Sequence, residues 1–296
     1  MATRREKFDE ACLRGRARRG VALLGVCNVT PDSFSDGGLS YRLEDAKARV
    51  RELIAEGADV VDIGAESTRP GAEPVLAAEQ LRRLLEVVRY AASQVPVSVD
   101  TTLPEVALAC LQAGAVAVND VSCLSNDELA KVTAEHEASL LLMHARGSQA
   151  AMRGFSDYPD GGYGDVVADV LAEWGAAAER AQGQGLPKKS LVMDPGLGFA
   201  KNARQSTDLL RRTGELVARC GVPVLIGASR KSFLTIVDES APPSARIGAS
   251  VAAALHAARE GASMLRVHDV RATVQALSLT KLLSLKPSAH GEVHRV

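Results

Sequence analysis

The sequence predicts an α/β fold of the TIM type, a single closed (β/α)8 barrel. Three observations carry that expectation. Short runs rich in Val, Leu and Ile, suited to strands buried on both faces, alternate with helical stretches. Eight such strand-then-helix units follow one another with no region of a second type. Strict alternation implies parallel strands with crossover helices, and eight units in 296 residues suit a closed barrel. An open doubly wound sheet is the alternative. It usually carries a Gly-x-Gly-x-x-Gly turn after its first strand, and that turn is absent.

Residues 1–20 hold Arg4, Arg5, Lys7, Arg14, Arg16, Arg18 and Arg19. No apolar core of signal-peptide length follows them, so they are expected to form a solvated, partly disordered basic leader. The barrel is expected over 21–286. Residues 21–26 form the first strand, which ends at Asn28 in a Gly-rich polar loop. A helix over 43–56 is stopped by Gly57. The second strand, 60–65, runs into the polar loop 66–71. A helix over 77–93 leads to a strand over 95–99 that ends at Asp100. Pro104 opens the next helix at its favoured early position and Gly114 closes it. A strand over 115–118 ends at Asn119-Asp120. Asn126 or Asp127 caps a helix that reaches His136. The strand 139–143 ends at His144, and an irregular segment follows over 145–162.

The second half repeats the pattern. A helix over 165–182 precedes a strand over 190–193 that ends at Asp194. A single helix is expected over 207–218. The strand 223–226 leads to Gly227-Ala228-Ser229-Arg230-Lys231. A helix over 245–259 is stopped by Gly261. The last strand, 263–267, holds Arg266 and ends at His268. The last helix covers 270–285, and the polar tail 287–296 is expected to fray.

Composition excludes several functions. A formal net charge of -1 argues against a general nucleic-acid binder. Aromatic residues make up 3% of the chain, too few for a stacking platform for single strands. The cysteines Cys12, Cys27, Cys110, Cys123 and Cys220 include no Cys-x-x-Cys pair, so zinc and redox motifs are unsupported and a reduced, cytoplasmic setting fits. No apolar run is long enough to span a membrane.

In a barrel of this type the active site lies at the C-terminal ends of the strands. A polar or charged tip on every strand, all on one rim, exceeds what strand termination requires. Asp62, Asp120 and His144 are read as loop anchors. Asp100, Asn119 and Asp194 offer carboxylate and amide groups that can hold a flat heterocycle with several N–H donors. Lys231 adds a donor for a ring carbonyl or nitrogen. Arg266 and His268, with Asn28 and the first loop, suit an anionic leaving group, alone or with Mg2+.

These tips sit in recognisable motifs. Asn28-Val29-Thr30-Pro31-Asp32-Ser33-Phe34-Ser35-Asp36-Gly37-Gly38 resembles the first signature of the dihydropteroate synthase family, and Asp62-Ile63-Gly64-Ala65-Glu66-Ser67-Thr68-Arg69-Pro70-Gly71 resembles the second. Asp194-Pro195-Gly196-Leu197-Gly198-Phe199, Ser229-Arg230-Lys231-Ser232 and Arg266-Val267-His268-Asp269-Val270 are similar to that family too. The resemblance runs from Val21 to the last helix, with every motif in order.

The resemblance implies a TIM barrel that joins 6-hydroxymethyl-7,8-dihydropterin pyrophosphate to p-aminobenzoate. It implies Asp100, Asn119, Asp194 and Lys231 on the pterin, with Met143 and Phe199 lining the pocket. It implies Asn28, Arg266 and His268 on the pyrophosphate, with Mg2+ near Asn28. Thr68, Arg69 and Ser229 would border p-aminobenzoate, with Asp32 and Phe34 acting from the first loop. Asp32, Asp100 and Lys231 form the implied catalytic set. The family also implies a homodimer, for which the Ala-rich helix near 247–258 offers small residues.

Two stretches depart from the family pattern. His144-Ala145-Arg146-Gly147-Ser148 replaces the usual Met-His-Met-Gln-Gly ending, and the insert at 160–164 is unusual. Competing readings are a pterin-binding methyltransferase that serves a corrinoid protein, and a non-catalytic paralogue. The methyltransferase has no use for Arg266 and His268 as pyrophosphate ligands. Loops 30–40 and 67–74 are expected to be mobile without ligand, because they are polar and have little to bury.

Overall fold

The computed structural model describes residues 2–30, 39–66, 75–147 and 158–284. Eight strands form one sheet: β1 (Ala22–Asn28), β2 (Val60–Gly64), β3 (Val97–Asp100), β4 (Ala117–Asp120), β5 (Ser139–Met143), β6 (Leu191–Asp194), β7 (Leu225–Ile226) and β8 (Met264–Val267). The sheet order is β6-β5-β4-β3-β2-β1-β8-β7, and every paired ladder is parallel. The two end strands meet through one parallel bridge, Met193 to Val224, which closes the barrel. There the Met193 N–H donates to the Pro223 carbonyl at 2.9 Å. Pro223 has no N–H to return, and β7 is shorter than expected.

Ten helices among the described residues pack on the sheet: α1 (Arg4–Arg19), α2 (Leu39–Glu56), α3 (Ala77–Ala92), α4 (Pro104–Gln112), α5 (Glu128–Glu135), α6 (Val166–Gly183), α7 (Ala203–Arg211), α8 (Thr213–Cys220), α9 (Ile247–Arg259) and α10 (Val270–Ser284). Among the described residues no helix is long and apolar enough to cross a membrane. The expected ends of the chain's elements hold to within a few residues, with two exceptions.

The first exception is the basic leader, which is an ordered helix. Thr3 and Glu6 form a reciprocal cap at the start of α1, and Gly20 ends it at φ 83°. Phe8, Ala11, Cys12 and Gly15 are buried on one stripe. Phe8, Ala11 and Cys12 pack with Ala22, Leu24, Val60, Ala117, Leu141, Val192, Leu225 and Met264, the lower layer of the barrel lumen. So α1 is the floor of the barrel. Arg18 and Arg19 both reach the buried carboxylate of Asp59, which also accepts from the Leu23 N–H at 2.8 Å. Gly15 permits this approach, since a Cβ there would lie 2.2 Å from Asp59 Oδ2. The spacing 8, 11, 12, 15 is the helical i, i+3, i+4, i+7 repeat, hidden in the sequence among the basic residues.

The second exception is the helix expected over 207–218. It is two helices, α7 and α8, broken at Arg212 (φ -97°, ψ 25°). Asn202 and Gln205 form a reciprocal cap that starts α7 earlier. The Leu210 carbonyl accepts from the Thr213 hydroxyl at 2.7 Å, and His256 Nε2 lies 3.1 Å from it. Those contacts draw the carbonyl off the helical ladder. At α5, Asn126 accepts from the Glu128 N–H at 3.0 Å, while Asp127 makes no side-chain cap.

Alternation along each strand places the site. Ala22, Leu24 and Val60 face the lumen, so Val26 and Asn28, and Asp62 and Gly64, share that face higher up. The lumen is therefore apolar at the strand starts and polar at the strand ends. The segment 148–157 and the tail 285–296 lie outside the described residues.

Candidate active site

The strand register brings the predicted tips together. Asn28 is level with Gly64, Gly64 with Asp100, and Asp100 with Asn119. Met143 is level with Asp194. Around Gly227, Arg266 Cβ, Asp194 Oδ2 and Lys231 Nζ would lie 3.8, 3.8 and 3.9 Å from an added Cβ. Asp194, Lys231 and Arg266 thus converge on one point beside Gly227.

Arg266 organises the charges. Its Nε lies 3.0 Å from Asp62 Oδ2, its Nη1 lies 3.7 Å from Asp194 Oδ2, and its Nη2 donates to Asn119 Oδ1. The sequence reading set Arg266 at an anion end, away from the heterocycle group. The structure places its guanidinium among that group, because residue 266 shares the inward face with Met264. Burial works against the Arg266 charge, and Asp62, Asp194 and Asp100 outweigh it and hold its pKa above the ordinary value.

Among the described residues several buried polar atoms here have no hydrogen-bond partner: Asp194 Oδ2, Asn119 Nδ2 and Asp62 Oδ1. Each costs about 1–3 kcal/mol when left so, which is the mark of a site built for a ligand. Asp194 Oδ1, by contrast, accepts from the Gly196 N–H at 2.8 Å.

The titratable groups are shifted. Burial pushes Asp100 up to about 7, the Asp62 carboxylate adds to this, and Arg266 opposes it. Burial also raises Asp62, against the pull of Arg266. Burial lowers Lys231 to about 8, with Asp194 opposing. Lys231 Nζ donates to the Leu197 carbonyl at 2.6 Å and lies 4.6 Å from the centre of the Phe199 ring. Phe199, Met143 and Val121 form a small buried apolar cluster beside these groups.

Ser229 and His268 form a second corner. Ser229 Oγ accepts from the His268 N–H at 3.1 Å and lies 3.1 Å from His268 Nδ1. Arg49 donates to the His268 carbonyl at 2.7 Å. Burial, with Arg230 nearby, lowers His268 to about 4, so at neutral pH it offers an anion one N–H and no charge. Asn28 is exposed at the rim. Asp32, Phe34, Thr68 and Arg69 lie outside the described residues, as does most of the two loops expected to be mobile.

Two expected loop anchors do more. Asp120 does anchor its loop, accepting from Ser122 and Leu124 N–H groups at 3.1 and 2.6 Å. Asp62 is instead the counter-charge of Arg266, which its alternation with Val60 could have signalled. His144 is buried in a polar row behind the pocket wall, joined to Lys201 and Glu173. No sequence spacing pointed to that pair.

A dedicated metal cage is not found: among the described residues no group of three or more His, Cys, Asp or Glu could hold an ion. One rim amide oxygen, at Asn28, does suit Mg2+ that arrives with phosphate oxygens and keeps its water, the usual habit of this ion.

A parallel barrel with this polar upper lumen falls in the class of pterin binding enzymes, whose family model matches residues 24–268. Within that class the chain belongs to the dihydropteroate synthase family, and it is a transferase. It is 44% identical over 266 residues to the dihydropteroate synthase of Mycobacterium leprae, covering 88% of this chain and 92% of that one. The Xanthomonas albilineans dihydropteroate synthase solved with 4-aminobenzoic acid superposes with a TM-score of 0.82 at 41% identity, over 90% of this chain and 94% of that one. The same enzyme in complex with 7,8-dihydropteroate gives a TM-score of 0.78 at 38% identity, over 90% and 95% of the two chains.

Proposed function

We propose that this chain performs its family's reaction, condensing 6-hydroxymethyl-7,8-dihydropterin pyrophosphate with p-aminobenzoate to give 7,8-dihydropteroate and pyrophosphate. The observation that carries this reading is the set of orphaned polar atoms, Asp194 Oδ2 and Asn119 Nδ2, beside Lys231 and the Phe199 ring. A flat ring with donors and acceptors on its edge satisfies them. The ligands of the two Xanthomonas structures support the choice of ring and amine.

In this scheme Asp194 accepts from ring N–H groups, while Asn119 and Lys231 donate to ring oxygen or nitrogen. Met143 and Phe199 cover the ring face. Asp100, in its carboxylate form, stabilises the positive charge that spreads over the pterin when the leaving group departs. Arg266 borders both pockets and turns its charge to the pyrophosphate, helped by the neutral His268 and by Asn28. Mg2+ would be held by the Asn28 amide oxygen and would neutralise leaving-group charge. Ser229, with Thr68, Arg69, Asp32 and Phe34 from the loops, is assigned to the p-aminobenzoate side. The arylamine is already nucleophilic, so it needs positioning more than activation.

The test is a coupled assay with purified protein, Mg2+ and both substrates. Pyrophosphate release that requires p-aminobenzoate, yields 7,8-dihydropteroate and stops with a chelator is expected. Methyl transfer from methyltetrahydrofolate without that condensation would overturn the reading.

The working assembly is a homodimer through α9, in the cytoplasm. Ala252 is exposed on α9, Ile247 is 38% exposed, and a Cβ at Gly248 would meet nothing within 4 Å. A second α9 could approach closely there. Ala253, the next residue of the helix, is buried. Five free cysteines fit a reducing compartment. Light scattering at micromolar concentration should give twice the 31.1 kDa protomer mass, and a monomer refutes the assembly.

A further inference from the structure

Behind the pocket wall lies a row of ionisable side chains that the reaction scheme does not use. Lys201 is 1% exposed. Its Nζ lies 3.1 Å from the Gly196 carbonyl, 3.0 Å from the Phe199 carbonyl and 2.9 Å from His144 Nδ1. His144 is fully buried, and its Nε2 lies 3.0 Å from Glu173 Oε2. Arg146 Nε donates to the same Glu173 oxygen at 2.8 Å.

The protons in this row can be placed. Arg146 and His144 hold Glu173 down to about 2, so it is a carboxylate that only accepts. Nε2 of His144 must therefore carry its proton. Burial, and then Lys201, keeps the imidazole neutral, which leaves Nδ1 bare as an acceptor. Lys201 thus faces three acceptors with one nitrogen. Burial, and then Lys231, lower Lys201 to about 7, yet of its two forms the ammonium, with three N–H donors, is the one that satisfies all three acceptors.

Two of those acceptors, the Gly196 and Phe199 carbonyls, sit on the loop that equips the pocket. Gly196 and Phe199 flank Leu197, whose carbonyl takes Lys231 Nζ at 2.6 Å. The Gly196 N–H holds Asp194 Oδ1. Arg146 ties the same loop by a second route: its guanidinium lies 3.8 Å above the Tyr163 ring, and the Tyr163 hydroxyl donates to the Ala200 carbonyl at 2.9 Å. Arg146 stands in the stretch where this sequence departs from the family pattern.

We propose that Lys201, hydrogen-bonded to His144 at the end of the His144–Glu173–Arg146 row, is a positioning residue for the heterocycle pocket. It gathers the backbone of residues 196–199 and so fixes where Lys231 and Phe199 stand. This rests on the reading of that pocket as the pterin site.

The test compares the parent with Lys201→Met, Glu173→Ala and Glu173→Gln, each checked for folding by circular dichroism. Lys201→Met is expected to raise KM for the pterin pyrophosphate by about tenfold or more, with KM for p-aminobenzoate within about twofold. Glu173, at 38% side-chain exposure, tolerates replacement. Glu173→Ala should raise the pterin KM in the same selective way, and Glu173→Gln, whose amide oxygen still accepts, should restore it. Nitrogen NMR of the parent at pH 7 should show His144 protonated on Nε2 alone. Equal changes in both KM values, an unchanged pterin KM in a folded variant, or a His144 protonated on Nδ1 each overturn the inference. If Lys201→Met does not fold, the Glu173 pair and the NMR spectrum decide. If the parent shows no turnover, the functional reading fails, and the NMR spectrum still decides the row.

Discussion

Asp194→Asn is expected to leave the fold in place and to weaken binding of the pterin pyrophosphate by about ten- to a hundredfold. The replacement keeps the size of the side chain and an oxygen for the Gly196 N–H, now 2.8 Å from Oδ1. It turns the orphaned Oδ2 from an acceptor into a donor. That donor then faces Arg266 Nη1, 3.7 Å from Oδ2 in the parent, and the N–H edge of the ring. A carboxylate oxygen that faces a cation becomes a donor that faces donors. Titration calorimetry reads the loss directly, with p-aminobenzoate as the control ligand. Unchanged pterin affinity in a folded Asp194→Asn protein would remove Asp194 from the ring.

Arg266→Ala should destabilise the folded protein by about 3–5 kcal/mol, the usual result of stripping one partner from a buried ion pair. Asp62, 3% exposed, loses its counter-charge, and Asp194 loses its nearest cation. The deficit should depend on pH. Asp62 already has a raised pKa in the folded state, and removing the guanidinium raises it further. The folded variant then keeps a proton that the unfolded chain, with Asp near about 3.9, has released. Folding that takes up protons loses stability as pH rises, and the variant goes on losing it after the parent has stopped, so the deficit grows above the pKa that Asp62 has in the folded parent. Urea unfolding at pH 5 and pH 8 checks the sign. A deficit under about 1 kcal/mol, or one larger at pH 5, contradicts the role given to Arg266.

Much of this molecule was legible in its residues. Each strand is a short apolar run cut off by a polar residue, and the cut is what marks the rim. Asp100, Asn119 and Asp194 could be picked out because alternation leaves a strand-end polar residue facing the lumen. Partners across the lumen could not be read, because nothing local to residue 266 says that its guanidinium reaches residues 62, 119 and 194. The same holds for Lys201 and Glu173, which meet His144 only after β5 and β6 pair. Charge concealed the apolar stripe of α1. The break at Arg212 needed His256 from a neighbouring helix, which no window of sequence contains.

The floor helix has a consequence for the way the chain is made. Cys12 Sγ rests 3.8 Å from Met264 Sδ, across 252 residues of sequence. At about 5–20 residues per second, roughly 13–50 seconds separate the synthesis of those two contacts. During that interval the 16 residues of α1 exist before their seat, and a helix of that length is only marginally stable alone in water. The nascent chain carries Phe8 and its apolar stripe unsheltered until β8 has left the ribosome. The stopper is thus made long before β8, the strand that completes its seat, and the growing barrel depends on whatever shields it in between.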